Sequence, residues 1–236
     1  MRARSLQQVG LTGVLVILAA MMFFPFYFML QISLKDDSQF AQQFWLPIPP
    51  FHWENYSAAF QVLWHYIVNS IIVVGSSTFG VVVVATLAAY AFARLYFPGR
   101  EALYYFLISL MMIPSVLTLI PQFVLIKNLG LIGNYAGVIL PYIAVGEIIS
   151  IFILRAFFAS LPEELFEAAR IDGASNLQLF LRVALPLVRP AVVAILILQV
   201  LTNWNDYILP LLVLTDDSLK TLVVGLVAFQ TRFSIH

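Results

Sequence analysis

Cysteine is missing from all 236 residues, which closes off disulfides and thiol chemistry. Histidine occurs three times, scattered, so a metal site has almost no material and none is expected. Charge is scarce as well: Asp, Glu, Lys and Arg make up 10% of the chain, against roughly 25% in an ordinary soluble domain. Twelve basic and twelve acidic residues cancel, and nothing in that balance points to nucleic acid. No G-x-x-x-x-G-K-[ST] phosphate loop is present, so this chain is not read as an ATPase, and no catalytic residue or bound cofactor is expected on it. What fills the space is apolar. Hydrophobic residues reach 62% and the mean hydropathy is +0.96. A single soluble core fails on that composition. The expectation is an integral membrane protein, all-α, built as a polytopic transmembrane helical bundle with lipid as its surroundings.

Five spans are read along the chain. Residues 9–30 carry no charge and follow Arg2 and Arg4. That run is too long for the apolar core of a signal peptide and no small-x-small cleavage site follows it, so it reads as an uncleaved first span at about 10–32. Residues 33–65 form a polar connection with Lys35, Asp36, Asp37 and Trp45, Trp53 and Trp64, tryptophans being frequent at the headgroup level. A short interfacial helix is expected from Trp53 to Trp64. The first division is thus 1–65, an N-terminal span with its external connection, and the second is a core of 66–236. Core spans are expected at about 66–93, 102–124, 132–155 and 190–214. Ala85, Ala89 and Ala93 recur every four positions in the second span, giving a face for close helix approach. Pro114 and Pro121 sit in the third, where prolines mark kinks or unwound turns. The apolar stretch from Leu222 to Phe229 is too short to cross a bilayer, which takes about twenty residues.

Between the fourth and fifth spans lies the loop 156–189, with Glu163, Glu164, Glu167, Arg170, Asp172, Arg182 and Arg189. Each such charge at the centre of a spanning helix would cost about 2.5 to 3.5 kcal/mol, which keeps this segment in water or against a soluble partner. Two short helices with a bend are expected. Ser160 with Glu163 has capping-box spacing, and Ser175 with Gln178 repeats it. Gly173 is placed as a left-handed stop, Ala168 and Ala169 leave room for another surface, and Pro186 and Pro190 interrupt the second helix. An N-terminus in the cytoplasm puts Arg2, Arg4, Arg94, Arg100, Arg155, Arg170, Arg182 and Arg189 inside, and Lys35, Lys127, Lys220 and Arg232 outside. The excess agrees with the positive-inside rule and sets the charged loop on the cytoplasmic side.

The wording Glu167-Ala168-Ala169-Arg170-Ile171-Asp172-Gly173-Ala174, followed by Leu185-Pro186, resembles the EAA loop of ABC-importer permeases. Ala91-Phe92-Ala93-Arg94, Phe97-Pro98-Gly99-Arg100, Met112-Ile113-Pro114, Leu129-Gly130-Leu131 and Asn203-Trp204-Asn205-Asp206 look like the carbohydrate-uptake branch, the maltose-permease-like subunits. The resemblance implies a permease subunit in the inner membrane of a prokaryote, moving a mono- or oligosaccharide. It implies a coupling helix formed by Glu167, Ala168, Ala169, Asp172, Gly173 and Ala174 that docks on a cytoplasmic ATPase subunit, with ATP used by that partner. In this reading Gly173 sets the bend and Glu167 pairs with a basic group on the ATPase. A second related permease, an external sugar-binding protein and membrane lipid complete the expected partners. Six spans are usual in that branch, so the resemblance also implies a sixth, C-terminal span missing after His236.

Candidates for a translocation path are Glu147, the acidic residue well inside a hydrophobic run, and the polar group Asn203, Asn205 and Asp206. Glu147 fits a cavity-lining role and a protonated hydrogen-bonding role between helices equally well. Three alternatives stay open at this point: a permease for a polyol or glycerol phosphate, a proton-driven secondary carrier using Glu147, and a scaffold that transports nothing.

Overall fold

The computed structural model describes residues 2–233, and every regular element among them is helical. His236, after which a missing span is expected, lies outside them. Internal packing divides the chain between Val62 and Leu63 into two compact units.

In the first unit, α1 (Arg2–Ser33) keeps its helix through Pro25, and no residue in the most apolar stretch of its run from Gly10 to Ser33 is buried by protein. The connection after it is closely knit. The short α2 (Asp37–Gln42) starts from a reciprocal cap: the Gln39 amide donates to Asp36 Oδ1 at 2.7 Å and the Asp36 amide donates to Gln39 Oε1 at 3.1 Å. The Gln39 amide and the Ser38 hydroxyl hold the Asp36 carboxyl below the usual carboxylate range. Lys35 is only 7% exposed, and its ammonium donates to the carbonyls of Gln43 at 2.5 Å and Phe44 at 3.3 Å. Gln31 donates to the same Phe44 carbonyl. A Lys35→Met change keeps the stem and deletes the donor, removing charge-assisted bonds of about 1.5–3 kcal/mol each. Faster proteolysis between residues 36 and 53 of the detergent-solubilised chain is the expected result.

The helix α3 (Glu54–Arg94) corrects the expected short helix at 53–64, which is instead the first part of one 41-residue helix. Nothing between Glu54 and the second span can stop it: no Pro or Gly occurs there to remove a donor or free the backbone. At about 1.5 Å per residue its 41 residues reach roughly 60 Å, about twice the hydrocarbon thickness.

The third expected span is bent and the fifth is cut short. The third consists of α4 (Arg100–Ser109), a 3₁₀ turn over Leu110–Met112 and α5 (Ser115–Asn128), with 102° between its halves. Ile113 is extended, as a residue before proline prefers, and Pro114 opens the second half without an N–H to donate. Pro121 is absorbed inside α5. The fourth span is intact as α6 (Ala136–Ala159). The fifth stops early: α10 (Arg189–Trp204) ends at the Asn-Asp pair, and α11 (Ile208–Val213) follows. Here side chains add to the fading ladder, Asn205 donating through its side chain to the Leu201 carbonyl at 2.7 Å and Asp206 Oδ1 accepting from the Ile208 amide at 3.0 Å. Among the described residues, three helices are long and apolar enough to cross a membrane, or five if Arg100–Met112 with Ser115–Asn128 and Asn176–Leu187 with Arg189–Trp204 each count as one bent span. The final α12 (Leu222–Phe233) extends past the apolar stretch foreseen there.

The larger core collects beside the charged loop of the second unit. Ala85 and Ala89 of α3 are fully buried with Leu154 and Phe158 of α6 and Ile195 of α10, so the four-residue alanine repeat serves close packing. At the other end, Asn69 of α3 donates to the carbonyls of Ser218 and Lys220 and accepts from the Tyr135 hydroxyl at 2.7 Å. Tyr66 donates to Asp217 at 3.0 Å and the Leu222 amide donates to Ser70. The loop before α12 is thereby tied to α3.

Candidate functional site

The charged loop folds as two helices about a bend. Its first, α7 (Glu163–Ile171), has Glu163 and Glu164 at its positive end and Arg170 in its last turn. The expected box of Ser160 with Glu163 is not formed. The N-cap is Pro162, the Ser160 hydroxyl donates back to the Phe157 carbonyl, and Glu163 accepts from Arg94 and Arg170 instead. A guanidinium attracts that carboxylate more strongly than a neutral amide does. The stop is as expected: Gly173 has φ of +83°, its amide donates to the Arg170 carbonyl, and the Ala174 amide donates to the Ala169 carbonyl.

After the bend, Ser175 and Gln178 form the second capping box, with the Ser175 amide donating to Gln178 Oε1 at 2.8 Å. The helix does not break at Pro186. From α8 (Asn176–Gln178) it passes through a π turn at Leu179–Ala184 into α9 (Leu185–Leu187), the Leu185 amide bonding to the Phe180 carbonyl five residues back. The wider turn admits Pro186 in the first turn of α9, and the 75° bend falls at Val188, before Pro190.

The helix α7 has two unlike faces. Phe166 is completely buried, and Ala169 and Ala174 pack against the same core. On the opposite side Glu164, Glu167, Ala168 and Ile171 follow helical spacing and are all exposed, Ile171 at 86%. Glu167 has no ion-pair partner within the described residues. A cleft of about 290 Å³ lies beside this stripe, lined by Ala169, Asp172, Gly173 and Ala174 together with Gln178 and Arg182. Four of the six residues expected in the loop thus share one concavity, while Glu167 and Ala168 lie on the exposed stripe.

The other candidates are dispersed. Asn203 is buried and donates to Ser77 Oγ of α3 at 3.3 Å. Asp206 accepts from the Tyr142 hydroxyl of α6 at 2.8 Å. Asn205 is exposed at the end of α10, and Glu147 is half-buried on α6 with no side-chain hydrogen bond or ion pair among the described residues. Between them sits Gln199, donating to the Gly146 carbonyl at 3.1 Å and to Ser150 Oγ at 3.2 Å.

Sequence reading missed two features here. Ile171 is an apolar side chain bare in the middle of a polar loop; its place four residues after Glu167 was the available signal. Arg94 entered as a topological charge and as part of the Ala91-Phe92-Ala93-Arg94 wording, without a contact assigned to it, yet its side chain closes on α7. Its Nε donates to the Phe158 carbonyl at 2.9 Å and its Nη1 to Glu163 Oε2 at 2.5 Å. Its Nη2 donates to the Leu161 carbonyl, and its guanidinium lies 4.4 Å over the Phe166 ring.

Comparison with known proteins agrees with this arrangement. The chain is 34% identical over 224 residues to the diacetylchitobiose uptake system permease protein NgcG of Streptomyces coelicolor, covering 93% of this chain and 73% of the relative. Identity is 34% over 227 residues to the sn-glycerol-3-phosphate transport system permease protein UgpE of Yersinia pestis, covering 91% and 77%. With the melibiose/raffinose/stachyose import permease protein MelC of Bacillus subtilis it is 31% over 231 residues, covering 97% and 83%. A crystal structure of a bacterial ABC transporter involved in import of the acidic polysaccharide alginate matches in fold, with a TM-score of 0.83 at 22% identity, covering 100% of this chain and 83% of that one. Residues 82–231 match the family described as binding-protein-dependent transport system inner membrane component. Loop, helices and relatives agree: this chain belongs to the family of inner-membrane components of binding-protein-dependent transport systems.

Proposed function

We propose that the chain is the membrane-spanning permease subunit of an ABC importer for a mono- or oligosaccharide, driven by a separate ATPase that grips the loop 156–189. The observation that carries this reading is the two-faced α7. One side is anchored by buried Phe166, and the other offers Glu164, Glu167, Ala168 and Ile171 to a partner. Glu167 pairs with a basic group of the ATPase, and the cleft at Gly173 receives one of its side chains. ATP binds and is hydrolysed on that partner. The N-terminus and the loop lie in the cytoplasm, and a second related permease and an external sugar-binding protein complete the assembly.

Sugar is favoured over glycerol phosphate by charge. The residues assigned to the path, Glu147, Asn203, Asn205 and Asp206, are amides and carboxylates. They hydrogen-bond hydroxyls, whereas a carboxylate repels a phosphate dianion. The relatives named for diacetylchitobiose and for melibiose, raffinose and stachyose support the same choice.

The deciding experiment is purification of the tagged chain from its native membrane, followed by uptake assays in proteoliposomes. An ATP-hydrolysing subunit is expected to accompany it, and labelled disaccharide is expected to enter only with ATP inside. Uptake driven by a proton gradient without that subunit would overturn the proposal. Glu147→Gln keeps the hydrogen-bonding capacity and removes the ionisable proton, so ATP-driven uptake is expected to stay within about twofold of wild type. Loss of uptake that follows loss of the proton would instead make Glu147 a proton site.

A further inference from the structure

Among the described residues of the second unit, Arg94 makes contacts that no ordinary surface ion pair requires. It is the last residue of α3, and its side chain is only 10% exposed. Of the two carbonyls it binds, Phe158 lies in the last turn of α6, where the dipole is negative, and Leu161 lies in the link between α6 and α7. The carboxylate it binds belongs to the first turn of α7, and Arg170 holds the other oxygen of that carboxylate at 3.0 Å. Phe166, under the guanidinium, is the buried anchor of α7. Every nitrogen of the fork and one of its faces are therefore engaged, on three helices at once.

A second guanidinium extends the same block. Arg155 of α6 grips Glu101 of α4 through both carboxylate oxygens, at 3.1 and 3.0 Å, and lies 3.8 Å over the Tyr104 ring. The ends of α3, α4, α6 and α7 are thus tied together by two arginines, one of them spanning the short link from α6 to α7.

We propose that Arg94 is a positioning residue that makes α7 move as one body with the ends of α3 and α6, so that a displacement of α7 reaches both spans directly as well as through the chain to α10. This rests on the reading of the chain as an ATPase-driven permease. The planar fork is essential to it. A lysine at this position keeps the positive charge beside Glu163 but supplies a single ammonium, which cannot hold two carbonyls, a carboxylate and a ring face together.

The test uses the complete transporter, with permeases, ATPase and binding protein, in proteoliposomes, and its readout is solute taken up per ATP hydrolysed. Arg94→Lys is expected to assemble and hydrolyse ATP while that ratio falls about tenfold or more, the signature of lost gating rather than lost folding. A ratio equal to wild type in Arg94→Lys overturns the proposal. Because the chain has no Cys, the double variant Arg94→Cys, Glu163→Cys can be bridged selectively by a short bis-maleimide. Coupling is expected to be lost in the unbridged form and to return on bridging. An unbridged form coupled like wild type, or a bridged form that stays uncoupled, overturns the strut. If wild-type chain assembles with no ATPase, or hydrolysis drives no uptake, the proposed function itself fails, and that outcome is read separately from the variants.

Discussion

Gly173→Val is expected to cut ATP-driven uptake at least about tenfold while leaving membrane insertion unchanged, because the residue carries a backbone conformation rather than a contact. Its φ of +83° is left-handed, and a Cβ built there meets nothing within 4 Å. Steric crowding by neighbours therefore contributes nothing, and the whole penalty is local strain, about 1–2 kcal/mol for an ordinary residue in that region. A β-branched side chain fares worse still. The turn is exposed, so the strain is relieved by rotating α7 against α8 rather than by unfolding the bundle. That rotation misaligns Glu164, Glu167, Ala168 and Ile171 and reshapes the cleft lined by Asp172 and Ala174. A graded series checks the cause: Asn, which tolerates this backbone region, is expected to retain most activity, Ala less and Val least. Equal loss for all three would mean that the missing side chain, not the conformation, is what the site requires. Uptake per ATP and the amount of chain in the membrane are the two measurements.

Gly146→Val should produce a large loss of stability. A Cβ at Gly146 would stand 2.7 Å from Gln199 Oε1 and 2.9 Å from Val81 Cγ2, so α6 has no room to keep its distance from α10 and α3. Gln199 would have to leave, and its bonds to the Gly146 carbonyl and to Ser150 would break inside a buried region. Overpacking costs about 1–3 kcal/mol, and an unsatisfied buried amide adds a further 1–3 or so. A Gln199→Ala change in the same chain opens the space and is expected to recover part of the loss, since the two positions share one contact. Melting in detergent, followed through a buried reporter, measures both. Gly146→Val melting at the wild-type temperature would show that the helices slide apart at no cost.

Much of this was legible from composition and punctuation. The uncharged runs marked the spans, Pro114 lay where the third one bends, the Asn-Asp pair lay where α10 ends, and Gly173 sits in the conformation that its place after Asp172 suggested. What stayed hidden were choices between partners. Glu163 has the spacing of a capping residue, but Arg94, far away in sequence, competes for it and wins. The length of α3 was underread because tryptophans at the headgroup level suggested a separate interfacial helix, although no breaker separates Glu54 from the span. The burial of Asn203 against Ser77, and the bond from Tyr142 to Asp206, required knowing which helices touch, which no local pattern states.

The unbroken course of α3 has a geometric consequence. From Tyr66 to Arg94 it is a single stiff lever of roughly 40 Å at about 1.5 Å per residue, with the loop before α12 fastened to one end and the arginine strut to the other. A tilt of about 5° pivoting at the Arg94 end carries the Tyr66 end sideways by roughly 4 Å over that length. Asn69 and Ser70 would take the tethered loop with them. Small rotations on one side of the bilayer are thereby magnified on the other without any helix having to deform.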